Sequence, residues 1–578
     1  MKIRDFSLVK LGALLFTTWI LMLLFVWHPL SLFAESDNND EVQKRLTSAF
    51  AELRDLKQEN LHIRSVLAEI NNSGLDGGIL TEDLLAKLKS KLDRAARGVH
   101  LKVEEDDEKN LWIPSTEYEM KRRLINRGVM EWWYLISSEL RKLNKALESS
   151  APSLTSAVSF LLENSAQHQR ALVWDLEDFS NIDHLKEWRA KESEDLSLLV
   201  QNRIHQLQNP RNCSSAKKLV CNLNKSCGYG CQVHHAAYCF IVAYATQRTL
   251  ILQSKNWRYN KGGWEKVFKP LSDSCLDAGG SRVHWPGSED SQVLELPIID
   301  MLSPRPPHLP LAIPKDIAPR LMRLHGNPSV WWISQFIQYL LRYQPETQEM
   351  LDSTGRKLQF EKPIVGVHIR RTDKVGTEAA FHSLEEYMKS VEEYYNMIEF
   401  KQGITKRRVY LASDDPSVHS EAKQKYPTYE FIGDNSIAKD AAVATRYSDK
   451  SLRGVIIDIH FLAHSDYLVC TFSSQVCRLA YEIMQGFYPD ASERFKSLDD
   501  LYYYGGQSAH KQRVIYPHFP AHNDELELKV GDVVGIAGNH WDGYSKGTNE
   551  RTKKNGLYPS FKVVDIIDQA DFPVYERT

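Results

Sequence analysis

The chain has 578 residues, 25% of them charged and 42% hydrophobic, a composition typical of three or four folded domains rather than of a low-complexity chain. Lys and Arg (72) nearly balance Asp and Glu (75), giving a formal net charge of −3. Nucleic-acid-binding domains usually present a basic face, so this balance argues against nucleic acid as a partner.

The first 31 residues have the pattern of a membrane anchor. Residues 1–10 carry three basic side chains and form the predicted cytosolic tail, and residues 11–31 form the predicted transmembrane signal-anchor, which begins with 17 uncharged residues. Acidic residues follow, and this charge order keeps the N-terminus in the cytosol. The alternative is a cleaved signal peptide, but Leu32-Phe33-Ala34 is a poor cleavage site. The sequence therefore predicts a single-pass type II protein with its body in an oxidising lumen.

Two helical regions are predicted next. Residues 35–112 form the predicted coiled-coil stem, in which apolar side chains alternate at spacings of four and three from Val42 to Ile70, with Asn60 in the seam. A buried Asn in such a seam fixes register and partner number, so the stem predicts a homodimer. The alternative is a helix packed on its own domain. Residues 113–212 form the second predicted helical region, whose apolar positions serve packing.

All eight cysteines lie in the predicted catalytic domain, residues 213–505. The spacing of Cys227 and Cys231, with two histidines close by, is compatible with a zinc site. An even cysteine count in a lumenal protein favours disulfides instead, although the sequence leaves 105 pairings open. The loop between these two cysteines contains Gly228 and Gly230, and such a loop either presents N–H groups to an anion or is merely a tight turn.

Three predicted strands of this domain end in polar segments. These segments are Arg370 to Lys374, Ser413 to Pro416, and Ser473 to Gln475 at the start of a helix. Open α/β sheets bind ligands at the carboxyl ends of their strands. Guanidinium groups grip phosphate oxygens with two bonds, and helix N-termini bind anions. Each segment alone is a solvated face, a turn or a cap, but together they predict a site for a diphosphate nucleotide.

Residues 506–570 form a separate predicted module. Its short strands, separated by Gly and polar turns, resemble an SH3-like β-barrel in order and spacing. The motifs that carry this resemblance are Val514-Ile515-Tyr516-Pro517, Glu525 to Asp532, His540-Trp541-Asp542-Gly543 and Gly556 to Ser560.

Residues 367–378, with the sequence Val-His-Ile-Arg-Arg-Thr-Asp-Lys-Val-Gly-Thr-Glu, closely resemble the signature of the α-1,6-fucosyltransferases that make the core fucose of N-glycans. A looser form of the motif recurs in rhizobial Nod-factor fucosyltransferases and protein O-fucosyltransferases. The resemblance covers nearly the whole chain. It implies an α/β fold: a GT-B-like glycosyltransferase with a Rossmann-type nucleotide half, the N-terminal helical coiled-coil stem and the C-terminal SH3-like β-barrel.

The resemblance also implies a reaction: inverting transfer of L-fucose from GDP-L-fucose to the 6-hydroxyl of the innermost N-acetylglucosamine of N-linked glycans, in the Golgi membrane. One carboxylate must take the acceptor proton. Fixed Arg and helix-terminus donors can stabilise the leaving diphosphate in place of a metal, and the chain has Asp414-Asp415 where a metal-dependent enzyme would have Asp-x-Asp. The alternatives are a protein O-fucosyltransferase-like enzyme and a non-catalytic lumenal scaffold with an SH3-like module.

Site residues are carried over from the family by motif. Glu378 is the implied general base, with an exposed loop acid as the alternative interpretation. The implied catalytic residues are Glu378, Lys374, Arg370, Arg371 and Asp373. The implied donor-binding residues are Arg370, His368, Asp458, Tyr259, Gly228, Gly230, Ser474 and Gln475. The implied acceptor-binding residues are Glu378, Lys374, Asp300, Asp499 and His540. The implied disulfides are Cys213–Cys275, Cys221–Cys239, Cys227–Cys231 and Cys470–Cys477.

Overall fold

The computed structural model describes residues 113–372, 379–441 and 445–575. The predicted tail, anchor and stem lie outside these ranges, as do Asp373, Lys374, Glu378 and the side chain of Asp300. The described residues belong to one compact unit that begins at Ile113. None of the helices in these ranges combines the length and the apolar character that a bilayer crossing needs.

Three long helices begin the described chain. Their bounds are α1 Thr116–Ser150, α2 Pro152–Ile182 and α3 Lys186–Gln208. The Ser115 hydroxyl accepts the Tyr118 N–H at 3.1 Å and caps α1. Pro152 opens α2, a position where its missing N–H would have no partner in the helix. Arg189 of α3 lies 2.7 Å from the Glu119 carboxylate of α1, so a buried ion pair joins these two helices.

A parallel four-stranded sheet and its helices form the first α/β half. The elements are β1 Lys218–Asn222, α4 Tyr229–Ala245, β2 Thr249–Gln253, β3 Arg282–His284, β4 Val293–Leu296, β5 Ile313–Pro314, α5 Ala318–Leu324, α6 Pro328–Leu340 and α7 Pro345–Leu358. The strand order is β2–β1–β4–β3. Nearly all of α4 is buried, including the polar side chains of Gln232, His234 and His235.

A parallel five-stranded sheet forms the second α/β half. The elements are β6 Ile364–Ile369, α8 Leu384–Glu399, β7 Arg407–Ser413, α9 Val418–Lys425, β8 Tyr429–Ile432, α10 Asn435–Asp440, α11 Asp449–His464, β9 Tyr467–Cys470, α12 Gln475–Met484 and β10 Phe495–Ser497. The strand order is β10–β9–β6–β7–β8. Every residue of β6 is buried, as expected for a central parallel strand covered on both faces. The two halves match the predicted GT-B-like α/β class.

An antiparallel five-stranded barrel follows. Its strands are β11 Lys511–Val514, β12 Val533–Asn539, β13 Tyr544–Asn549, β14 Asn555–Pro559 and β15 Val563–Asp565, in the order β14–β13–β12–β11–β15. Its small core includes Val514, Val534 and Tyr558. A final strand, β16 Gln569–Ala570, pairs with β5. The barrel strands therefore end at Asp565, before the predicted module boundary at 570, because the chain returns to the first α/β half.

The structure contains four disulfides, which join the same pairs that the family resemblance implies: Cys213–Cys275, Cys221–Cys239, Cys227–Cys231 and Cys470–Cys477. Within the described ranges, one group of metal-ligating residues is compact enough for an ion: Cys221, His235 and Cys239, whose ligand atoms lie within 4.8 Å of one another. Both sulfurs of this group are used by a disulfide. The cysteine cluster is therefore a set of cross-links rather than a thiolate site.

Lys496 on β10 joins the helical region, the second α/β half and the barrel. Its ammonium lies 4.0 Å from the ring centroid of Tyr134 in α1 and 4.1 Å from that of Trp541 in the barrel. Burial lowers the pKa of Lys496 from 10.5 to about 8, and the carboxylates of Glu393 and Glu131 oppose this shift. The folded protein therefore favours the neutral amine more than the unfolded chain does.

Keeping the buried Lys496 charged costs the folded protein stability. Comparison with Lys496→Met is expected to reveal this cost as a pH dependence of the difference in stability. Because the folded pKa lies below the unfolded one, the cost is fully present below pH 8 and is released as the pH rises towards 10.5. The melting temperature of the wild type should therefore rise relative to that of the variant between pH 7 and pH 10, by about 2–4 °C. Lys529→Met, at an exposed lysine, is the control. A difference that stays constant or falls would contradict the burial argument.

Candidate active site

The candidate site lies where the strand order of the second sheet reverses. From β6 the chain runs outward through β7 and β8, then returns to the other side of β6 for β9 and β10. Ligands of open α/β sheets bind in the crevice at this point, beyond the carboxyl ends of the strands. Arg370 follows β6 directly, and Ser474 follows β9 and caps α12. The structure thus brings two of the predicted polar segments to neighbouring strand ends.

Asp414 organises the segment that follows β6. Its Oδ1 accepts the Arg371 N–H at 2.8 Å, and its Oδ2 accepts the Thr372 N–H at 3.0 Å and the Thr372 hydroxyl. The same Oδ2 lies 3.0 Å from Nη1 of Arg370. One buried carboxylate therefore fixes both the backbone and the first guanidinium. The sequence indicates only a turn or cap at Asp414, because the pairing of β6 with β7 that places it beside Arg370 is not visible there.

Arg371 points into a different set of contacts. Its Nη1 lies 2.8 Å from the Glu421 carboxylate and 3.6 Å from that of Asp415. Its guanidinium carbon lies 5.1 Å from the ring centroid of Phe381. These contacts fit a side chain that orders the pocket. Asp415 therefore pairs with an arginine, as Asp414 does.

The loop carrying Asp373, Lys374 and Glu378 lies outside the described residues. Both of its flanks lie at the candidate site. Thr372 is bonded to Asp414, and Phe381 lies against Arg371.

Two buried titratable groups, His368 and Asp458, lie in the second half. His368 is in β6, and burial, reinforced by the charge of Arg370, lowers its pKa to about 4. Its Nδ1 is buried without a hydrogen-bond partner among the described residues. Asp458 is in α11 and accepts the Tyr410 hydroxyl at 2.8 Å. Burial outweighs this bond and raises the pKa of Asp458 to about 7, so its charge can change near neutral pH.

Two helix N-termini from different halves meet beside these strand ends. Gly228 is the N-cap of α4, and Ser474 is the N-cap of α12. A Cβ at Gly230 would lie 3.0 Å from the carbonyl oxygen of Gln475, so a larger residue there would push the two segments apart by a few tenths of an ångström. The first N–H groups of a helix have no partner within it and form the positive end of its dipole. The predicted glycine loop and helix start therefore adjoin in one corner, and helix N-termini are the kind of group that can bind an anion.

Tyr259 lies in an aromatic cluster next to the glycine loop. Its ring centroid is 5.5 Å from that of Trp257, 6.1 Å from that of Tyr229 and 5.3 Å from that of Tyr447. Burial raises the pKa of Tyr259 to about 12, so its hydroxyl keeps its proton. Tyr229 belongs to the glycine loop, so the cluster packs against this loop.

Of the predicted acceptor residues, Asp499, His540 and the backbone of Asp300 lie within the described ranges, in three different parts of the fold. Asp499 follows β10, and its Oδ1 accepts the Ser497 hydroxyl at 3.0 Å and the Ser473 N–H at 3.4 Å. His540 is exposed in the barrel loop after β12. The adjacent Trp541 packs on β10, with its ring centroid 6.4 Å from that of Phe495. The barrel loop thus lies on the strand that leads to Asp499. Asp300 belongs to the short 3-10 helix Ile299–Met301 of the first half.

The chain matches known families over most of its length. Residues 2–503 match the family described as alpha-(1,6)-fucosyltransferase N- and catalytic domains, and residues 514–563 match the variant SH3 domain. The chain is 58% identical to the alpha-(1,6)-fucosyltransferase of Drosophila melanogaster over 465 residues, which cover 80% of this chain and 75% of that protein. It is 40% identical to the alpha-(1,6)-fucosyltransferase of Caenorhabditis elegans over 554 residues, which cover 95% and 96% of the two chains.

Solved structures of other proteins are similar to parts of the chain. The alpha-1,6-fucosyltransferase NodZ, in a crystal soaked with GDP-fucose, is 14% identical, and the match covers 46% of this chain and 92% of that chain with a TM-score of 0.31. NodZ from Bradyrhizobium is 13% identical over the same shares, with a TM-score of 0.29. The SH3 domain of yeast NBP2 is 33% identical, and the match covers 10% of this chain and 97% of that domain with a TM-score of 0.10.

Proposed function

We propose a function from one premise: the chain belongs to the alpha-(1,6)-fucosyltransferase family. It is a glycosyltransferase of the GT-B-like class with a C-terminal SH3-like barrel. Its proposed reaction is the inverting transfer of L-fucose from GDP-L-fucose to the 6-hydroxyl of the innermost N-acetylglucosamine of N-linked glycans. The acceptor is the N-glycan of a glycoprotein.

The corner in which two helix N-termini adjoin beside Arg370 is the observation that carries this proposal, and we propose that it binds the diphosphate. Negative charge develops on the leaving diphosphate as the bond to fucose breaks. The guanidinium held by Asp414 and the adjoining N-termini of α4 and α12 are fixed donors for that charge. Such donors need no reorganisation during the reaction. We therefore propose a metal-independent transfer, in which Glu378 removes the proton of the acceptor hydroxyl.

Asp458 and the backbone of His368 are proposed to read the guanine base. An ionised carboxylate accepts two parallel N–H bonds, and guanine offers this pair of donors on one edge. A protonated carboxyl offers a single acceptor oxygen and one O–H. Because burial raises the pKa of Asp458 to about 7, acid should protonate it in the free protein and compete with GDP.

We expect the dissociation constant for GDP to rise by roughly 25-fold between pH 7.5 and pH 5.5, since the ionised fraction of Asp458 falls by that factor. Calorimetric titration of GDP at both pH values measures it. Asp458→Asn is the matched control. This variant should bind GDP more weakly, and its affinity should change with pH only through the titration of GDP itself. Equal pH dependence in variant and wild type would remove Asp458 from base recognition.

The reaction itself is tested with GDP-fucose and a biantennary N-glycan ending in free N-acetylglucosamine. We expect one fucose in α-1,6 linkage on the innermost N-acetylglucosamine, with and without excess EDTA. Transfer abolished by EDTA and restored by manganese would contradict the metal-independent mechanism. Transfer to the hydroxyl of a folded protein domain instead would support the O-fucosyltransferase alternative, and no transfer to either acceptor would support the scaffold.

Location and assembly are proposed from the sequence pattern of residues outside the described ranges. Residues 11–31 would anchor the chain in the Golgi membrane with its body in the lumen, and residues 35–112 would form a dimeric stem, because a heptad seam on a monomer leaves an apolar stripe in water. Deleting residues 40–70 should weaken or abolish the dimer in sedimentation equilibrium. A monomeric lumenal body with its stem intact, at micromolar concentration, would show that the seam packs within its own chain.

A further inference from the structure

We propose that His234 is a positioning residue for the donor diphosphate, which it serves by fixing the side-chain amide of Gln475. The proposal rests on the proposed function, in which Gln475 is part of the donor site. His234 lies on α4 of the first half and is 5% exposed. Its Nδ1 is 2.8 Å from Oε1 of Gln475, and its Nε2 is 2.8 Å from Oε2 of Glu482. Both partners lie on α12 of the second half.

The imidazole is held from three sides. Glu482 is fully buried, and its other oxygen accepts the Tyr502 hydroxyl at 2.6 Å, so the carboxylate cannot turn away from His234. The Tyr504 hydroxyl donates to the backbone carbonyl of His234, and the two rings meet edge to face with centroids 5.1 Å apart. These contacts leave the ring one orientation.

Both ring nitrogens face acceptor oxygens. An N–H on Nδ1 donates to the amide oxygen of Gln475, and the Glu482 carboxylate faces the other ring nitrogen. The bond from Nδ1 occupies the Gln475 amide oxygen and leaves the amide NH₂ for another acceptor. Phosphate oxygens accept hydrogen bonds and cannot donate them when ionised. The reversed amide would turn its oxygen towards the diphosphate and repel it. His234 thus selects the amide orientation that binds the donor.

The test compares substitutions at His234 in the full chain. His234→Phe keeps the ring and removes both nitrogens, and we expect the GDP dissociation constant and the GDP-fucose KM to rise about tenfold with the acceptor KM unchanged. His234→Asn places an N–H near the Nδ1 position and should recover most of the affinity. His234→Gln places its N–H near Nε2 instead. That variant keeps Glu482 paired but should bind GDP as weakly as His234→Phe.

Tyr504→Phe is the control for a merely structural effect. It removes the hydrogen bond to the backbone of His234 and leaves both imidazole contacts, so the melting temperature should fall while GDP affinity stays within twofold of wild type. If wild type itself does not bind GDP, the proposed function fails. If wild type binds GDP and His234→Phe binds within twofold of it, this proposal is wrong. Equal weakening by Tyr504→Phe, or equal recovery by Asn and Gln, would also overturn it.

Discussion

Arg370→Lys is expected to lower kcat/KM for GDP-fucose by roughly 10²–10³-fold. The guanidinium already uses Nη1 to meet Asp414 at 3.0 Å, and its planar fork can reach a phosphate oxygen at the same time. A lysine ammonium is a single point charge on a flexible stem. It can pair with Asp414 or with the diphosphate, but it cannot hold both in one fixed plane. Steady-state kinetics and GDP titration on the purified variant measure the loss.

Arg407→Lys is the matched control. Arg407 opens β7 at the amino end of the same sheet, where it pairs with Glu399, so activity should remain near wild type. Asp414→Asn tests the same contact from the other side. The amide has one oxygen, so it can accept only one of the two backbone N–H groups that the carboxylate accepts. The ion pair with Arg370 is also lost, so part of the Arg370 effect should appear. Arg370→Lys activity close to wild type would exclude Arg370 from the diphosphate role.

The sequence predicted the elements of this site better than their contacts. The sequence predicts a strand before Arg370, and β6 is that strand, because a parallel strand covered on both faces is a nearly continuous apolar run. The helix predicted to start in the segment Ser473 to Gln475 begins at Gln475. Polar residues at strand ends are likewise a local signal. What they do together depends on which strands are neighbours.

The contacts between the two halves could not be read from the sequence. His234 and Gln475 are 241 residues apart in the chain, and nothing in either local pattern shows that their helices meet. Asp414 likewise became a partner of Arg370 only through the register that pairs β6 with β7. The cysteines show the same limit: spacing alone left the pairings open, and it was the family resemblance that named the pairs found in the structure.

Glu378→Gln is expected to lower kcat by ~10²–10⁴-fold, the usual cost of losing a general base, while GDP affinity stays near wild type. The glutamine keeps the size of the side chain but cannot take the proton of the acceptor hydroxyl. That proton matters only while the bond to fucose forms. Of the groups proposed to bind GDP, Asp458 in α11 and Gln475 in α12 lie on other elements, and Arg370 is held by Asp414 before the loop begins. Single-turnover kinetics and GDP titration on one variant therefore separate catalysis from binding.

Glu385→Gln provides the control for the loss of an acid in the same stretch of chain. Glu385 is exposed at the start of α8 and pairs with Lys425 at 2.6 Å, so neither kcat nor GDP affinity should change. If GDP affinity in Glu378→Gln falls as far as the rate does, Glu378 positions the donor or the loop and is not the general base. The loop begins at Thr372, which Asp414 fixes, and the next carboxylate along it is Asp373. Asp373→Asn would then be expected to show the loss of rate with GDP binding intact.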